Sequence, residues 1–482
     1  MKKKKVNTNI LNSPDRIKER KRLNKENVFV DFKLDESLAN MGKGKSYYIY
    51  TYGCQENESD SEKIRGLLES VGYTEKLVLE EADVLVLNTC AIRKNAEDKV
   101  FGELGRLKQL KRERPEIVTI VCGCMAQEQD AVNLITKRYQ NVDIVLGTHN
   151  IHDILGLIKK CYDKKERLVD VLSYEGDIVE NVPMVRQSKI KAWVPIMYGC
   201  DEFCTYCIVP YTRGKERSRL PENILKEVNE LVEKGYKEIT LLGQNVNAYG
   251  KDFTDRSYDF ADLLTDLHNT KIERIRFTTS NPKDFDDKQV KAMALGGNIM
   301  PQLHLPVQSG SNEVLKRMNR RYTRETYLSL VKKIKEAIPN ISLTTDIIVA
   351  FPGETEEQFE ETLSLVKECD YEGAFTFIYS PREGTPAASY TEQVPEDVAH
   401  ERLYKLNELI NEGYKKGSMR FLNTIQKVLI EGESKNDPNM LMGYNENGKL
   451  INVKGDKSLI GKIVNVKVTE AKTWSLDGEY VE

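Results

Sequence analysis

From Tyr47 onward the chain alternates short apolar runs with stretches of helical period. Residues 47–54 (YYIYTYGC), 82–90 (ADVLVLNTC), 117–124 (IVTIVCGC) and 142–147 (VDIVLG) read as buried strands, with helical patterns from about 58 to 71 and about 100 to 110 between them. Strand and helix in turn predict a parallel sheet with crossover helices over residues 46–165. Residues 166–188 lack a clear period and read as a linker. From Ala192 a longer alternation begins: AWVPIMYGC, KEITLLGQN, RIRFTTSN, QLHLPVQS, SLTTDIIVAF and AFTFIYS, separated by helices such as PENILKEVNELVEKG and TEEQFEETLSLVKEC. The second of these opens on a capping box, Thr355 with Gln358. Six strand–helix units over residues 189–418 predict an open, three-quarter (βα)6 barrel of TIM-like character, whose active edge is the carboxyl end of its strands. After a helix from about 395 to 422, the last sixty residues turn β-rich (KVLIEG, KLINV, KIVNVKVTEA) and predict a small β-barrel over 419–482. The fold class is therefore multidomain α/β with an appended all-β module.

The length, 482 residues, agrees with several domains, each large enough to bury its own core. With 30% charged residues and no apolar run approaching eighteen, the chain reads as soluble, with no membrane partner. Its 72 Lys and Arg against 75 Asp and Glu leave a net charge of −3, so nucleic-acid binding has to come from local basic patches. The first 26 residues hold ten Lys or Arg and no signal-like apolar segment. Residues 1–45 accordingly read as a solvated basic extension of a cytoplasmic protein; weak attraction to RNA is the second reading. From Phe421 on, eight Lys face nine acidic residues, so the terminal module is not basic.

Nine cysteines in a large chain without an export signal favour metal binding or catalysis over a disulfide framework. The five histidines show no zinc-ligand spacing. Cys54, Cys90 and Cys124 each end a predicted strand, roughly 35 residues apart, the length of one βαβ repeat, so all three thiols emerge at one sheet edge, where open α/β sheets bind ligands. Three thiolates there suit an iron–sulfur cluster with one iron free of protein. The bland reading is three small buried residues at strand ends. Cys122 packs in the sheet, and Cys161 and Cys369 are structural. Cys200, Cys204 and Cys207 form a C-x3-C-x2-C run on the loop leaving the first barrel strand. Such a run reaches three irons of a cubane [4Fe–4S] cluster and leaves the fourth open. A zinc site would need a second Cys pair and a ferredoxin site a fourth Cys, and neither follows.

Together with these triads, the stretches TYGCQENESDSE, NTCAIR, GCMAQ, YGCDEFCTYCIVPYTRGKERSR, LLGQNVNAYG, RFTTSNP, HLPVQSGS, TDIIVAFPGET and YSPREGTPAA resemble the radical S-adenosylmethionine (SAM) methylthiotransferase family. The resemblance runs from about residue 46 to 482 and is closest to the branch acting on N6-isopentenyl (dimethylallyl) adenosine in tRNA. Sister branches act on threonylcarbamoyl-adenosine or on a ribosomal-protein aspartate. They share the triads but not the GQNVNAYG and TTSNP stretches. Ala350 stands where the family usually has Gly, in a segment lining the SAM pocket.

The resemblance implies two [4Fe–4S] clusters, one on Cys200, Cys204 and Cys207 that chelates SAM and one on Cys54, Cys90 and Cys124 that carries the transferred sulfur. It places Tyr206 against the adenine of SAM, Gly243, Gln244 and Asn245 at its amino group, Ser280 and Asn281 at the third strand end, and Asp346 to Glu354 beside the nucleoside. One SAM then supplies the methyl group and a second a 5′-deoxyadenosyl radical that takes hydrogen from C2 of the adenosine next to the anticodon. Partners implied are tRNA, gripped by the terminal barrel, and a low-potential donor such as flavodoxin or ferredoxin, with the chain a monomer. Two basic stretches are candidates to meet RNA phosphate: Arg213, Lys215, Arg217 and Arg219 after the cluster loop, and Lys316, Arg317, Arg320, Arg321 and Arg324 after the fourth strand. A rival from another class is a non-catalytic iron–sulfur RNA-binding protein, against which stands the missing fourth ligand of both triads.

Overall fold

The structure, a computed structural model, describes residues 6–10, 22, 26–91, 94–172, 174–435 and 437–481. The chain divides into two compact units, one through Gln187 with Tyr198–Asp201 and Cys207–Arg219, the other Ser188–Met197, Glu202–Tyr206 and Leu220–Glu482.

In the first unit the strands are β1 (Val6–Ile10), β2 (Phe29–Asp31), β3 (Ser46–Tyr52), β4 (Thr74–Glu75), β5 (Val84–Thr89), β6 (Val118–Gly123), β7 (Ile144–Leu146), β8 (Arg167–Val171) and β9 (Ile178–Glu180). Seven of them form a parallel sheet in the order β1-β8-β7-β6-β5-β3-β4. Every residue of β5 and β6 is buried, as expected of central strands covered on both faces. One face packs Val84, Val86, Ile120 and Cys122 against helices Gln55–Ser70 and Ile154–Lys164. The other packs Leu85, Leu87 and Val121 against Val100, Leu104 and Leu107 of helix Lys94–Glu113.

Two readings from periodicity are corrected. The stretch 166–188 is no mere linker: it contains β8, an inner strand of the sheet, and β9, which pairs with β2. Its strand was hidden because RLVDV carries a buried Arg167, whose guanidinium is absorbed by the carbonyls of Thr136, Tyr139 and Val142. Nor is the segment 1–45 wholly an extension: β1 adds an edge strand beside β8, and Leu38 belongs to the core. The remainder of the basic arm (1–5, 11–21 and 23–25) lies outside the described residues.

In the second unit, β10 (Lys191–Pro195), β11 (Glu238–Leu242) and β12 (Arg274–Phe277) form one parallel sheet. Strands β13 (Gln302–His304), β14 (Ser342–Val349) and β15 (Ala374–Ile378) form another, and an Ile275–Ile299 bridge joins the two. These are the six strands of the expected partial barrel. Helices Pro221–Glu233, Phe260–His268, Arg324–Ala337, Glu356–Cys369 and Glu396–Met419 cover its outside. The Thr355–Gln358 capping box is present, with reciprocal bonds of 3.3 and 3.0 Å.

Strands β16 (Ile425–Glu433), β17 (Leu441–Asn445), β18 (Leu450–Lys454), β19 (Ile463–Ala471) and β20 (Leu476–Val481) close a small barrel. It sits on the amino ends of the central strands. There Arg274 donates to the carbonyls of Tyr444 (2.8 Å) and Lys427 (2.9 Å), and Arg276 to those of Asn445 (2.8 Å) and Glu446 (3.0 Å). The carboxyl ends of the central strands are thereby left to the loops. Among the described residues no helix is long and apolar enough to cross a membrane.

Candidate functional site: two cysteine triads and a strained barrel rim

Strands β3, β5 and β6 are neighbours, and each runs directly into a cysteine: Cys54, Cys90 and Cys124. Asn57 and Asn88 lock these ends together. The Asn57 amide donates to Asn88 Oδ1 (3.1 Å) and the Thr89 carbonyl (3.3 Å), while the Asn88 amide donates back to the Asn57 carbonyl (2.8 Å). Gly123, at φ +91°, passes so close that a Cβ there would stand 2.4 Å from Asn88 Oδ1, so only glycine fits.

Buried Arg213 donates from Nε to Cys124 Sγ at 3.1 Å and holds Asp60 at 2.7 Å. Burial pushes the Cys124 thiol up to about 12; Arg213 pulls it down, and Cys90 and Cys54 push it further up, so the three sulfurs share one electrostatic neighbourhood. Next to them both carboxylate oxygens of buried Glu56 lack a hydrogen-bond partner, and burial raises that group too. Soft thiol donors beside a buried guanidinium suit an anionic iron–sulfur cluster, whose irons deprotonate the thiols. Among the described residues no three His, Cys, Asp or Glu side chains converge on a single ion. A cubane asks for none, because each thiolate takes a different iron.

The second triad lies on one loop. Cys200 and Cys207 are half-buried in the first unit, where the Cys200 amide donates to the Gly214 carbonyl at 3.1 Å. Cys204, buried in the second unit, has Arg320 Nη1 3.5 Å from its sulfur. The segment around it is splinted by Asn319, which donates to the carbonyls of Glu202 (3.1 Å) and Phe203 (3.0 Å), and by a 2.9 Å bond from the Thr205 amide to the Met318 carbonyl. Tyr206 packs against the cluster of Val314, Met318, Phe351, Tyr379 and Ala387.

Around the barrel's carboxyl rim the backbone is strained at non-glycine residues: Phe203 (φ 46°), Thr279 (69°), Gln308 (70°) and Ala350 (57°). Buried polar atoms there, Ser280 Oγ, Gln308 Oε1 and Tyr379 Oη, have no hydrogen-bond partner. Strain and orphaned polar atoms at one strand edge mark a ligand rim, and the donor set fits the amino and carboxylate groups of SAM. Gly243 sits where a Cβ would come 2.6 Å from Met197 Cγ, with Gln244 next to it.

Other residues implicated by resemblance are used partly within the fold. Asn245 donates to Asp284 at 2.7 Å, and Asn281 caps the turn at Lys283. Glu354 is buried, where it accepts from the Ala350 amide (2.7 Å) and from Arg402 (3.0 Å). Burial pushes its carboxyl up to about 7 against the pull of those two donors. Asp346 does face the barrel interior, 3.2 Å from His304 Nε2.

The arginines expected to meet RNA divide. Arg213, as above, and Arg219, which grips Glu180 through three bonds of 2.7 to 3.1 Å, are buried, and Arg320 is drawn to Cys204 and the Pro306 carbonyl. Arg217 donates to the Gly176 carbonyl at 2.7 Å. In the second stretch Arg317 lies half-exposed beside Glu392 at 3.3 Å, and exposed Arg321 lines a groove of about 530 Å³ with Lys283 and Lys333. A charge run looks alike in sequence whether solvated or matched by acids from distant segments. Glu56, Asn57, Asp60 and His304 were missed altogether. The available signal was QENESDSE, a helix start without an apolar stripe directly after a cysteine.

Residues 194–366 match the Radical SAM superfamily, residues 46–147 the uncharacterized protein family UPF0004, and residues 420–481 the TRAM domain. The solved structure of the radical S-adenosylmethionine methyltransferase TsrM from Kitasatospora setae, with cobalamin and a [4Fe–4S] cluster bound, shares the fold. Its TM-score is 0.53 at 12% identity, over 71% of this chain and 74% of that one. The tRNA-2-methylthio-N(6)-dimethylallyladenosine synthase of Oceanobacillus iheyensis is 58% identical over 471 residues, 98% of this chain and 91% of that one. The Bacillus subtilis enzyme of the same name is 57% identical over 470 residues, 97% and 92% of the two chains. Identity at this level across nearly the full length, together with two cysteine triads at the carboxyl edges of parallel sheets, places the chain in the radical SAM family of tRNA-2-methylthio-N(6)-dimethylallyladenosine synthases, to which it belongs.

Proposed function

We propose that this protein transfers a methylthio group to C2 of N6-dimethylallyladenosine beside the anticodon of tRNA. The observation that carries the reading is the pair of three-cysteine sets, each one thiolate short of closing a [4Fe–4S] cluster. When bound, the two clusters and SAM supply the one-electron chemistry, the methyl group and the sulfur needed to replace an aromatic C–H hydrogen.

The residues of this chain then have separate tasks. Cys54, Cys90 and Cys124 hold one cluster at the edge locked by Asn57 and Asn88, with Arg213 balancing negative charge at the Cys124 sulfur. Cys200, Cys204 and Cys207 hold the other, and Arg320 does for Cys204 what Arg213 does for Cys124. Tyr206 sits against SAM, and Ser280 Oγ and Gln308 Oε1 supply buried polar contacts for it. Arg317 and Arg321 meet RNA phosphates, and the TRAM barrel adds a second hold on the tRNA. A low-potential flavodoxin or ferredoxin feeds electrons to the enzyme, which works as a cytoplasmic monomer.

The test is anaerobic reconstitution followed by incubation with SAM, dithionite and a dimethylallylated anticodon stem-loop, with nucleosides followed by mass spectrometry. About eight irons per chain and a methylthiolated nucleoside are expected. Reductive SAM cleavage without a modified base on this RNA, but with one on a threonylcarbamoylated RNA, would move the enzyme to the sister branch.

A further inference from the structure

Strands β13, β14 and β15 run side by side in a register that sets His304 beside Thr344, Asp346 beside Phe375 and Ile348 beside Phe377. Side chains alternate along a strand, so these residues share one face. The opposite parity belongs to the outside: Leu303, Leu343, Ile347 and Val349 are buried in the core beneath the helices, and Thr376 bonds Asn407 of helix Glu396–Met419 at 2.6 Å. His304, Thr344, Asp346, Ile348, Phe375 and Phe377 therefore line the barrel interior.

The polar members satisfy one another. His304 Nδ1 lies 3.0 Å from Thr344 Oγ1, and Nε2 lies 3.2 Å from Asp346 Oδ1. Beside this rung stand two phenylalanines at 60% and 45% exposure, among the most exposed large apolar side chains of the second unit. Phe375 meets the His304 ring edge-on at 5.9 Å. Ile348, next to Phe377, packs on the same cluster as Tyr206, the residue between Cys204 and Cys207. The apolar wall is thus continuous with the loop of the second cysteine triad.

We propose that Phe375 and Phe377 form the platform on which the extruded N6-dimethylallyl-adenine lies, and that they set the enzyme's choice of N6 substituent. This rests on the function proposed above. An adenine ring stacks on one exposed phenyl face, and the branched five-carbon substituent covers the other and Ile348, so that both apolar surfaces leave water. The His304–Asp346 rung borders the platform and selects by exclusion. A threonylcarbamoyl substituent carries a carboxylate, which would be brought beside Asp346 and stripped of water against phenyl rings. The platform belongs to the last strand of the barrel, outside every motif that marks the family in the sequence.

The test compares affinities of the reconstituted holoenzyme for two stem-loops that differ only in the dimethylallyl group, without reductant. The wild type is expected to prefer the alkylated RNA. Phe375→Ala and Phe377→Ala are each expected to weaken binding of the alkylated stem-loop about tenfold, at least one of them by more than it weakens binding of the plain stem-loop so that the preference falls, and Phe375→Tyr is expected to retain the preference. Both side chains are exposed, so the fold tolerates the change. A wild-type preference that survives both alanine variants would overturn the platform and leave the proposed function standing. A wild type that shows no preference would overturn the platform, and one that also modifies neither RNA once SAM and dithionite are added would overturn both.

Discussion

Ala350 adopts φ +57° at the end of β14, a conformation that costs a residue with a Cβ about 1–2 kcal/mol. It stays there because its amide donates to Glu354, which Arg402 in turn anchors. Thr279 and Gln308 hold the same kind of strain at the ends of β12 and β13, beside the unpartnered Ser280 and Gln308 side-chain oxygens. Local strain at three strand ends of one rim shows the surrounding structure dictating backbone geometry there. Ala350→Gly is expected to stabilise the protein by about 0.5–1 kcal/mol in urea denaturation. The relieved strain exceeds the extra chain entropy of glycine in the unfolded state. A destabilised variant would mean that packing of the Ala350 methyl outweighs the strain.

Between elements, the decisive feature of the second unit is how the terminal barrel is tied to the central one. Arg274 is 2% exposed and gives its guanidinium to two carbonyls of the small barrel, with Arg276 doing the same two residues further along the strand. These charge-assisted bonds hold the TRAM module on the amino edge of the central strands, so its docking does not compete with the rim. Arg274→Leu leaves the Tyr444 and Lys427 carbonyls without their donors, and about 2–4 kcal/mol of docking energy is expected to go with them. Limited proteolysis in the segment between Met419 and Ile425 should then be at least about tenfold faster than in the wild type. Equal rates would mean that Arg276, Asn447 and Lys449 suffice to hold the module.

For the chain as one enzyme, the two triads are expected to act independently in loading and jointly in turnover. Cys90→Ser should retain about four irons and still cleave SAM reductively, yet transfer no methylthio group. Cys204→Ser should also retain about four irons but cleave no SAM. Iron and sulfide counts with 5′-deoxyadenosine assays check both, and loss of all iron from either variant would show that the sites load as one. With a net charge of −3, and with Arg213 and Arg219 buried and Arg320 engaged with Cys204 and the Pro306 carbonyl, attraction of tRNA has to come from local groups of exposed cations such as Arg321.

Covalent spacing and periodicity were legible from the residues alone. Strand–helix alternation set the parallel sheet, the partial barrel and the terminal β-barrel, and cysteines at strand ends or in a C-x3-C-x2-C run carry their meaning locally, because one strand end or one loop fixes where each thiol emerges. Two short strands escaped: polar Val6–Ile10, whose ladder partner Arg167–Val171 lies far along the chain, and Arg167–Val171 itself, whose Arg167 masks it. The roles of the arginines escaped for the same reason. Arg213 and Arg321 both sit in basic runs, and folding alone put Cys124 and Asp60 around the first and water around the second. Which side of β15 faces the barrel interior, and hence that Phe375 and Phe377 line it, likewise depends on a register between strands. Contacts between residues distant in sequence are set by how the elements pack, and periodicity within one element does not record them.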